Sequence, residues 1–435
     1  MQSRGIAYGI ISMIYLPFVF VGPSIAAGIG LTHWCWGYGM FCILMPMCVC
    51  PLFGLLANAD IVKRRAKRCA EGEGTAQPPD AGKRTGLYGW RRVSNSLVLV
   101  DPLGLLLTGF SFSLLLVPPT LSAGAKGGWH NRSMIAMEVS GGIVLIMLAV
   151  WELRYAPYPI FPRRMFNRNF VLCLCIEVLY FLNGSLLTTY WSSWVWVVRD
   201  YSQHQWTYIC ETGTASLCIF TLVAGLIIRW TKRYMIMLII GVIISIVGCA
   251  VSYYSSLSGH TSTVALVFGQ LLFQAGGGFA LTPAQTVLQG SVSAQDLAMA
   301  VALLIFSETM GSAIGASIAG AVWTRTLVYN LSISAPSLNS TQIVEIAGDI
   351  TAARTAEPRA AIIIAYNYAF RKLALVLLIF SFVPMIMAVI VKDFALDARQ
   401  NAIDGSQEQD GAVEPDSQQA DAVDKAAEGS RTLND

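Results

Sequence analysis

Ten stretches of the 435-residue chain are apolar for long enough to cross a membrane: 6–28, 36–57, 97–121, 134–152, 169–190, 207–228, 235–254, 262–290, 298–324 and 373–391. A helix rises about 1.5 Å per residue, so about 20 residues cross the roughly 30 Å of hydrocarbon in a bilayer. Each stretch is predicted to be an α-helix, because a backbone in lipid has to satisfy its hydrogen bonds within its own segment. The expected fold class is therefore all-α, a polytopic membrane protein of about ten transmembrane helices. An even number of spans puts both termini on one side.

The loops between the spans suggest which side. Those at 58–96, 153–168, 229–234 and 291–297 hold 16 Lys and Arg, against 8 in the five loops of the opposite set. The bias of basic residues toward cytoplasmic loops then predicts cytosolic termini. The loop 325–372 opposes this assignment, with Arg325, Arg354, Arg359, Arg371 and Lys372 on the predicted outer side. Three Asn-x-Ser/Thr sequons, at Asn131, Asn330 and Asn339, fall in predicted outer loops and are glycosylation candidates. A fourth, at Asn183, lies inside a span.

Composition agrees with this pattern. The chain is 55% hydrophobic and 13% charged, where soluble proteins carry about a quarter charged residues. An ordinary globular enzyme is excluded, and no basic patch is large enough for nucleic acid. The charge is split along the chain: residues 393–435 hold 11 of the 26 acidic groups and 3 of the 29 basic ones. This tail is polar and acidic, and is expected to be disordered on the cytosolic side. Loop 58–96, with Lys63-Arg64-Arg65-Ala66-Lys67-Arg68 and then a Gly/Pro/Glu stretch, reads as a flexible cytosolic linker held at the inner headgroups. Met1 to Arg4 lead directly into a run of about 24 residues, longer than the apolar core of a secretory leader.

Polar groups inside spans are the candidates for chemistry. Five carboxyl groups qualify, Asp101, Glu138, Glu177, Glu211 and Glu308. Counted from the span ends, Glu308 lies about 15 Å and Glu177 about 12 Å deep, while the others stand near an interface. Proton coupling needs a carboxyl group that takes up a proton where water is scarce and releases it when water arrives. Glu177 and Glu308 are the two candidates, with a neutral acid bonding across helices as the alternative. Gly311 and Gly315 form a GxxxG pattern for close helix contact, and Gly276-Gly277-Gly278 with Pro283 interrupt the span 262–290. The cysteine pairs Cys48/Cys50 and Cys173/Cys175 point to opposite helix faces, and His33, His130, His204 and His260 scatter over four loops. No metal site, cofactor or disulfide framework is expected, and no nucleophile elbow or phosphate loop supports an enzyme.

Several motifs together resemble the fungal siderophore iron transporters, a fourteen-span branch of the major facilitator superfamily. They are Trp36-Gly37-Tyr38-Gly39-Met40-Phe41, Asp101-Pro102-Leu103-Gly104, Trp129, Trp151-Glu152 with Pro157, Pro159 and Pro162, and Ser192-Ser193-Trp194 through Asp200 and Ser202. Gln295-Asp296-Leu297-Ala298, the helix Gly311 to Trp323 and Gln400-Asn401-Ala402 follow in the same order. The superfamily's GxxxDRxGR loop motif survives only as Gly225, Arg229, Lys232 and Arg233, without its aspartate.

The resemblance implies proton-driven import of a ferric siderophore by alternating access, with the iron wrapped by the siderophore's own oxygens. The expected partners are thus the ferric siderophore, protons and the bilayer. Aromatic residues would shape the substrate site: Tyr180, Tyr190 and Trp194, with Phe181 and Trp191, near the outer half of one span, and Tyr366 and Tyr368 in the outer loop before the last. Packing or interfacial anchoring is the alternative role for these rings. The family starts with four further spans, so the chain would divide into the end of an amino-terminal bundle (1–57), a linker (58–96), two extra spans (97–152), a six-span carboxy-terminal bundle (153–392) and the tail. A proton antiporter for drugs or toxins shares this plan, and a remnant lacking four spans would not transport at all.

Overall fold

A computed structural model describes residues 2–29, 34–70, 101–121, 130–156, 163–231, 233–257, 262–293 and 296–391. Outside them lie 71–96 of the expected linker, the tail from 393, His33, His260, Trp129, Pro157, Pro159, Pro162, Gln295 and Gln400-Asn401-Ala402. Among the described residues every regular element is helical: α1 (Gln2–Met13), α2 (Tyr15–Ile29), α3 (Trp34–Ala70), α4 (Pro102–Leu121), α5 (Arg132–Val150), α6 (Arg168–Val198), α7 (Gln203–Thr231), α8 (Met235–Leu257), α9 (Thr263–Gly290), α10 (Leu297–Ser334), α11 (Ser340–Gly348), α12 (Ile350–Thr355) and α13 (Arg359–Ile390). Ten helical segments are long and apolar enough to span a membrane, one for each predicted stretch. The protein is a multi-pass membrane protein.

The ends differ from the sequence expectation where a helix outruns its apolar segment. The first span is broken at Ile14 into α1 and α2, because Pro17 has no N–H to give the carbonyl one turn earlier. Helix α3 continues through the basic run to Ala70, since Lys, Arg and Ala are good helix formers; 58–70 is therefore helix, not flexible linker. Helix α10 runs ten residues past 324, and α13 begins at Arg359 rather than 373. The outer loop shrinks to 335–358 and itself holds α11 and α12. Asn330, Tyr366 and Tyr368, expected in that loop, belong to α10 and α13 instead.

Helices α6 to α10 and α13 pack on one another. Helix α9 lies against α6, α7 and α8, and α6 lies against α10 and α13. The hairpin of α4 and α5 attaches through α4 to α10, where Ser317 donates to the Leu116 carbonyl at 2.8 Å. Helix α1 crosses α7 and α9, at a point where a Cβ on Gly225 would stand 2.4 Å from the Gly5 carbonyl oxygen. Helix α3 packs on α2 and leaves its apolar side chains exposed.

Two apolar clusters fill the six-helix core. One gathers Trp194, Tyr366, Phe370 and Leu373, and the other Phe170, Ile228, Tyr234 and Leu288. Along α6 the second ends at Ile176 and the first begins at Tyr180. The gap between them holds Glu177.

Candidate functional site

Helices α6 and α10 run in parallel and touch backbone to backbone. A Cβ on Gly311 would lie 2.3 Å from the Val178 carbonyl oxygen, and one on Gly315 would lie 2.3 Å from that of Leu182. Absent side chains at i and i+4 let the neighbour seat directly on the helix. Between the two glycines, the Ser312 hydroxyl meets that of Ser185 on α6 at 2.7 Å. One turn before Gly311, this register brings Glu308 to the level of Glu177.

Glu177 is fully buried, and neither carboxyl oxygen has a hydrogen-bond partner. Glu308 is half-buried, and its Oε1 accepts from Gln285 Nε2 at 3.2 Å. The two carboxyl groups are within electrostatic reach of each other, and Gln285 of α9 faces both. Gln285 sits two residues after Pro283, in the stretch where α9 lacks one backbone donor. Two acids and an amide, contributed by three helices, thus converge at mid-depth. Gln285 was not singled out from the sequence; of the four glutamines in the span 262–290, its place two residues after Pro283 is the signal that marks it.

The aromatic candidates separate by burial. Tyr180 stacks on Phe273 at 5.1 Å, and its hydroxyl donates to Gln274 Oε1 at 2.8 Å. Trp194 stacks on Phe370 at 4.1 Å and donates from Nε1 to Asn367 Oδ1 at 2.8 Å. Tyr366 is buried edge-on to Trp323 and donates to the Ile346 carbonyl at 3.0 Å. These three are engaged in packing. Tyr190 is half-buried with one face on Trp323 at 4.8 Å, and Tyr368 is 48% exposed.

Asp101 and Gly104 serve the hairpin of α4 and α5. Asp101 is at φ 47° just before α4, with Pro102 as first helical residue, and its Oδ1 accepts from the Gly104 amide at 3.1 Å. Trp151 Nε1 donates to both carboxylate oxygens at 3.1 and 3.2 Å. A Cβ on Gly104 would fall 2.4 Å from Asp101 Oδ2, so this turn requires glycine. Two motifs 50 residues apart in sequence meet in one hydrogen-bonded knot. Arg229 is exposed in the last turn of α7.

Arg354 and Arg359, which opposed the loop-charge pattern, bind just past and at the end of α6. Arg354 donates to the Tyr201 carbonyl at 2.8 Å and lies 4.0 Å over the Trp196 ring, and Arg359 donates to the carbonyls of Val197 and Ala353. Both stand 3.8 Å from Asp200. Basic groups are favourable at helix C-termini, where carbonyls lack partners. Of the sequons, Asn131 caps α5 and Asn339 is exposed at the start of α11, whereas the Asn330 amide donates to Thr326 within α10. Among the described residues no three His, Cys, Asp or Glu converge as metal ligands.

No family model matches the chain. Individual proteins do, along nearly all of it. A low-affinity heme transporter of Schizosaccharomyces pombe is 33% identical over 94% of this chain and 65% of its own length. A siderophore transporter of Mycosarcoma maydis is 31% identical over 93% of this chain and 64% of its own. An MFS siderochrome iron transporter of Aspergillus fumigatus is 31% identical over 92% and 66% respectively. The chain thus spans just under two-thirds of the length of these curated relatives. All three are named as transporters. Along nearly all of its length the chain is similar to fungal siderophore and heme iron transporters, one of them named as an MFS transporter.

Proposed function

We propose that the chain imports a ferric siderophore across a membrane by alternating access, driven by proton movement. The observation that carries the coupling is the buried, unpartnered Glu177 carboxyl beside Glu308 and Gln285. The names of the relatives support the substrate class. Tyr190 keeps ring surface free for a ligand, while Tyr180, Trp194 and Tyr366 hold the helices that present it. The iron travels inside the siderophore's oxygen shell, so no protein ligand to it is required.

In this reading residues 153–392 form one moving bundle, 97–152 an added pair of spans and 1–57 part of the opposing bundle. Both termini face the cytosol, and Asn131 and Asn339 are open to glycosylation on the other side. The plasma membrane is the proposed location.

The test is uptake of an iron-labelled hydroxamate siderophore by cells expressing the chain, with and without a protonophore. Accumulation that collapses with the proton gradient supports the reading. Absence of uptake, or uptake indifferent to the gradient, overturns it, and outward movement identifies an antiporter. Because one relative is named a heme transporter, hemin is included as competitor; uptake of hemin in place of the siderophore would reassign the substrate.

A further inference from the structure

A cavity of about 160 Å³ opens between the C-terminal end of α8 and the middle of α13, lined by Ser256, Leu257, Ile364, Asn367, Tyr368 and Arg371. Its lining holds the Arg371 guanidinium and the Asn367 side-chain amide as donors. The Arg371 guanidinium has no ion-pair or hydrogen-bond partner among the described residues, and the Asn367 carbonyl oxygen is taken by Trp194, which leaves its NH2 group over. The Ser256 hydroxyl already donates to the Tyr253 carbonyl, and no carboxylate lines the cavity. Such a surface favours an anion, and arginine suits the paired oxygens of a phosphate.

Its depth indicates where the anion comes from. Helix α13 has 32 residues, a length of about 48 Å, against roughly 30 Å of hydrocarbon. Counted from Ile390, about 28 Å of helix ends at Arg371, so the cavity stands at the boundary between hydrocarbon and headgroups. The preceding turns of α13 project beyond it and pack with α12. Below Arg371, on the same helix face, lie the exposed apolar side chains Leu375, Ile379, Phe382 and Ile386. On α8, Ile243, Val247 and Tyr254 are exposed as well. Lys372 is exposed beside Arg371 and adds a second positive charge.

We infer that this cavity binds the phosphate of a membrane glycerophospholipid, whose acyl chains lie along the α8–α13 surface. The lipid belongs to the leaflet at the C-terminal end of α8. Charge complementarity selects the headgroup, and the continuous apolar stripe beneath it selects a lipid over a soluble anion. The inference rests on the membrane-spanning architecture alone and stands whatever the transported substrate is.

The experiment uses the whole chain, purified in nonionic detergent, with lipid retention measured by native mass spectrometry. Dioleoylphosphatidylglycerol, dioleoylglycerol and inorganic phosphate are titrated separately. One phosphatidylglycerol per chain is expected, with affinity about tenfold lower in Arg371→Gln and largely kept in Arg371→Lys, as suits the loss of a charged hydrogen bond. Dioleoylglycerol, which has the chains without the phosphate, is expected to bind at least about tenfold more weakly to the wild-type protein. Equal retention by Arg371→Gln, or equal binding of dioleoylglycerol, overturns the inference. Displacement of the lipid by millimolar inorganic phosphate overturns it in favour of a soluble anion. If Arg371→Gln fails to fold, the comparison of the two lipids on the wild-type chain decides alone.

Discussion

The hydroxyl oxygen of Tyr180 stands 1.8 Å from the point a Cβ on Gly277 would occupy. Helix α6 can present this ring to α9 only because Gly277 has no side chain. Its neighbours repeat the arrangement toward other helices: a Cβ on Gly276 would fall 2.4 Å from the Ser245 amide nitrogen of α8, and one on Gly278 would fall 2.7 Å from that of Thr221 in α7. Successive residues turn about 100° around a helix. Three consecutive glycines therefore admit three neighbours at one level, next to Pro283 and the acidic pair.

Gly277→Ala is expected to force Tyr180 out of its stack on Phe273, at a cost of about 1–3 kcal/mol from overpacking. Thermal unfolding in detergent, followed by tryptophan fluorescence, reads the loss. Because the clash is with one ring, Tyr180→Ala together with Gly277→Ala should cost less than the sum of the two changes. Strict additivity would show that Tyr180 is not what fills the space.

Glu177→Gln and Glu308→Gln, each keeping shape while removing the ionisable proton, are expected to abolish the pH dependence of siderophore uptake. The control is binding of the ferric siderophore to purified protein, which should change less than about threefold, since neither acid is assigned to the substrate. Unaltered pH dependence in both variants would remove them as proton carriers. Gln285→Leu should resemble Glu308→Gln more than Glu177→Gln, because its amide donates to Glu308.

The approach of α1 to α7 depends on Gly5 and Gly225. Nearby, the Gln289 amide of α9 donates to the Tyr8 hydroxyl of α1. Cysteines placed at positions 8 and 289 should cross-link readily in the otherwise native chain and several-fold more slowly after Gly225→Leu, which wedges α1 away. An unchanged cross-linking rate would count against this contact.

Asp349 ends α11 and starts α12, accepting from the Thr351 hydroxyl at 2.6 Å and from its amide at 2.8 Å. The Thr351 hydroxyl first, and then its amide, hold the Asp349 carboxyl below the usual carboxylate range. A lowered value means that the cap is complete above the ordinary carboxylate pKa and is lost as pH falls through the lowered one. Asp349→Ala should speed hydrogen exchange at Thr351 near neutral pH, with the difference from wild type fading in acid. A difference independent of pH would show that the carboxylate charge is not what caps α12.

The ten spans, their order and their helical form were legible in the sequence, because hydrophobic length and the need to satisfy backbone bonds act locally. The position of Glu177 and Glu308 along their spans is legible for the same reason: it is a count along one helix. The ends of α10 and α13 were not, since hydropathy reports where lipid stops and helices such as these continue past it. The placement of Tyr366 followed that error, and only packing against Trp323 and Ile346 shows it as a core residue.

What the sequence by itself determined is thus a multi-pass helical membrane protein with two acids deep in its spans and glycines at set spacings. The tertiary structure alone decided that Gly311 and Gly315 meet Val178 and Leu182, that this register sets Glu308 beside Glu177, and that Gln285 joins them from α9. It also decided that Asp101 meets Trp151. The physical reason is that burial depth is a property of one helix, whereas a site between helices depends on which faces cross and at what register. Those are fixed by backbone contacts between residues far apart in the chain.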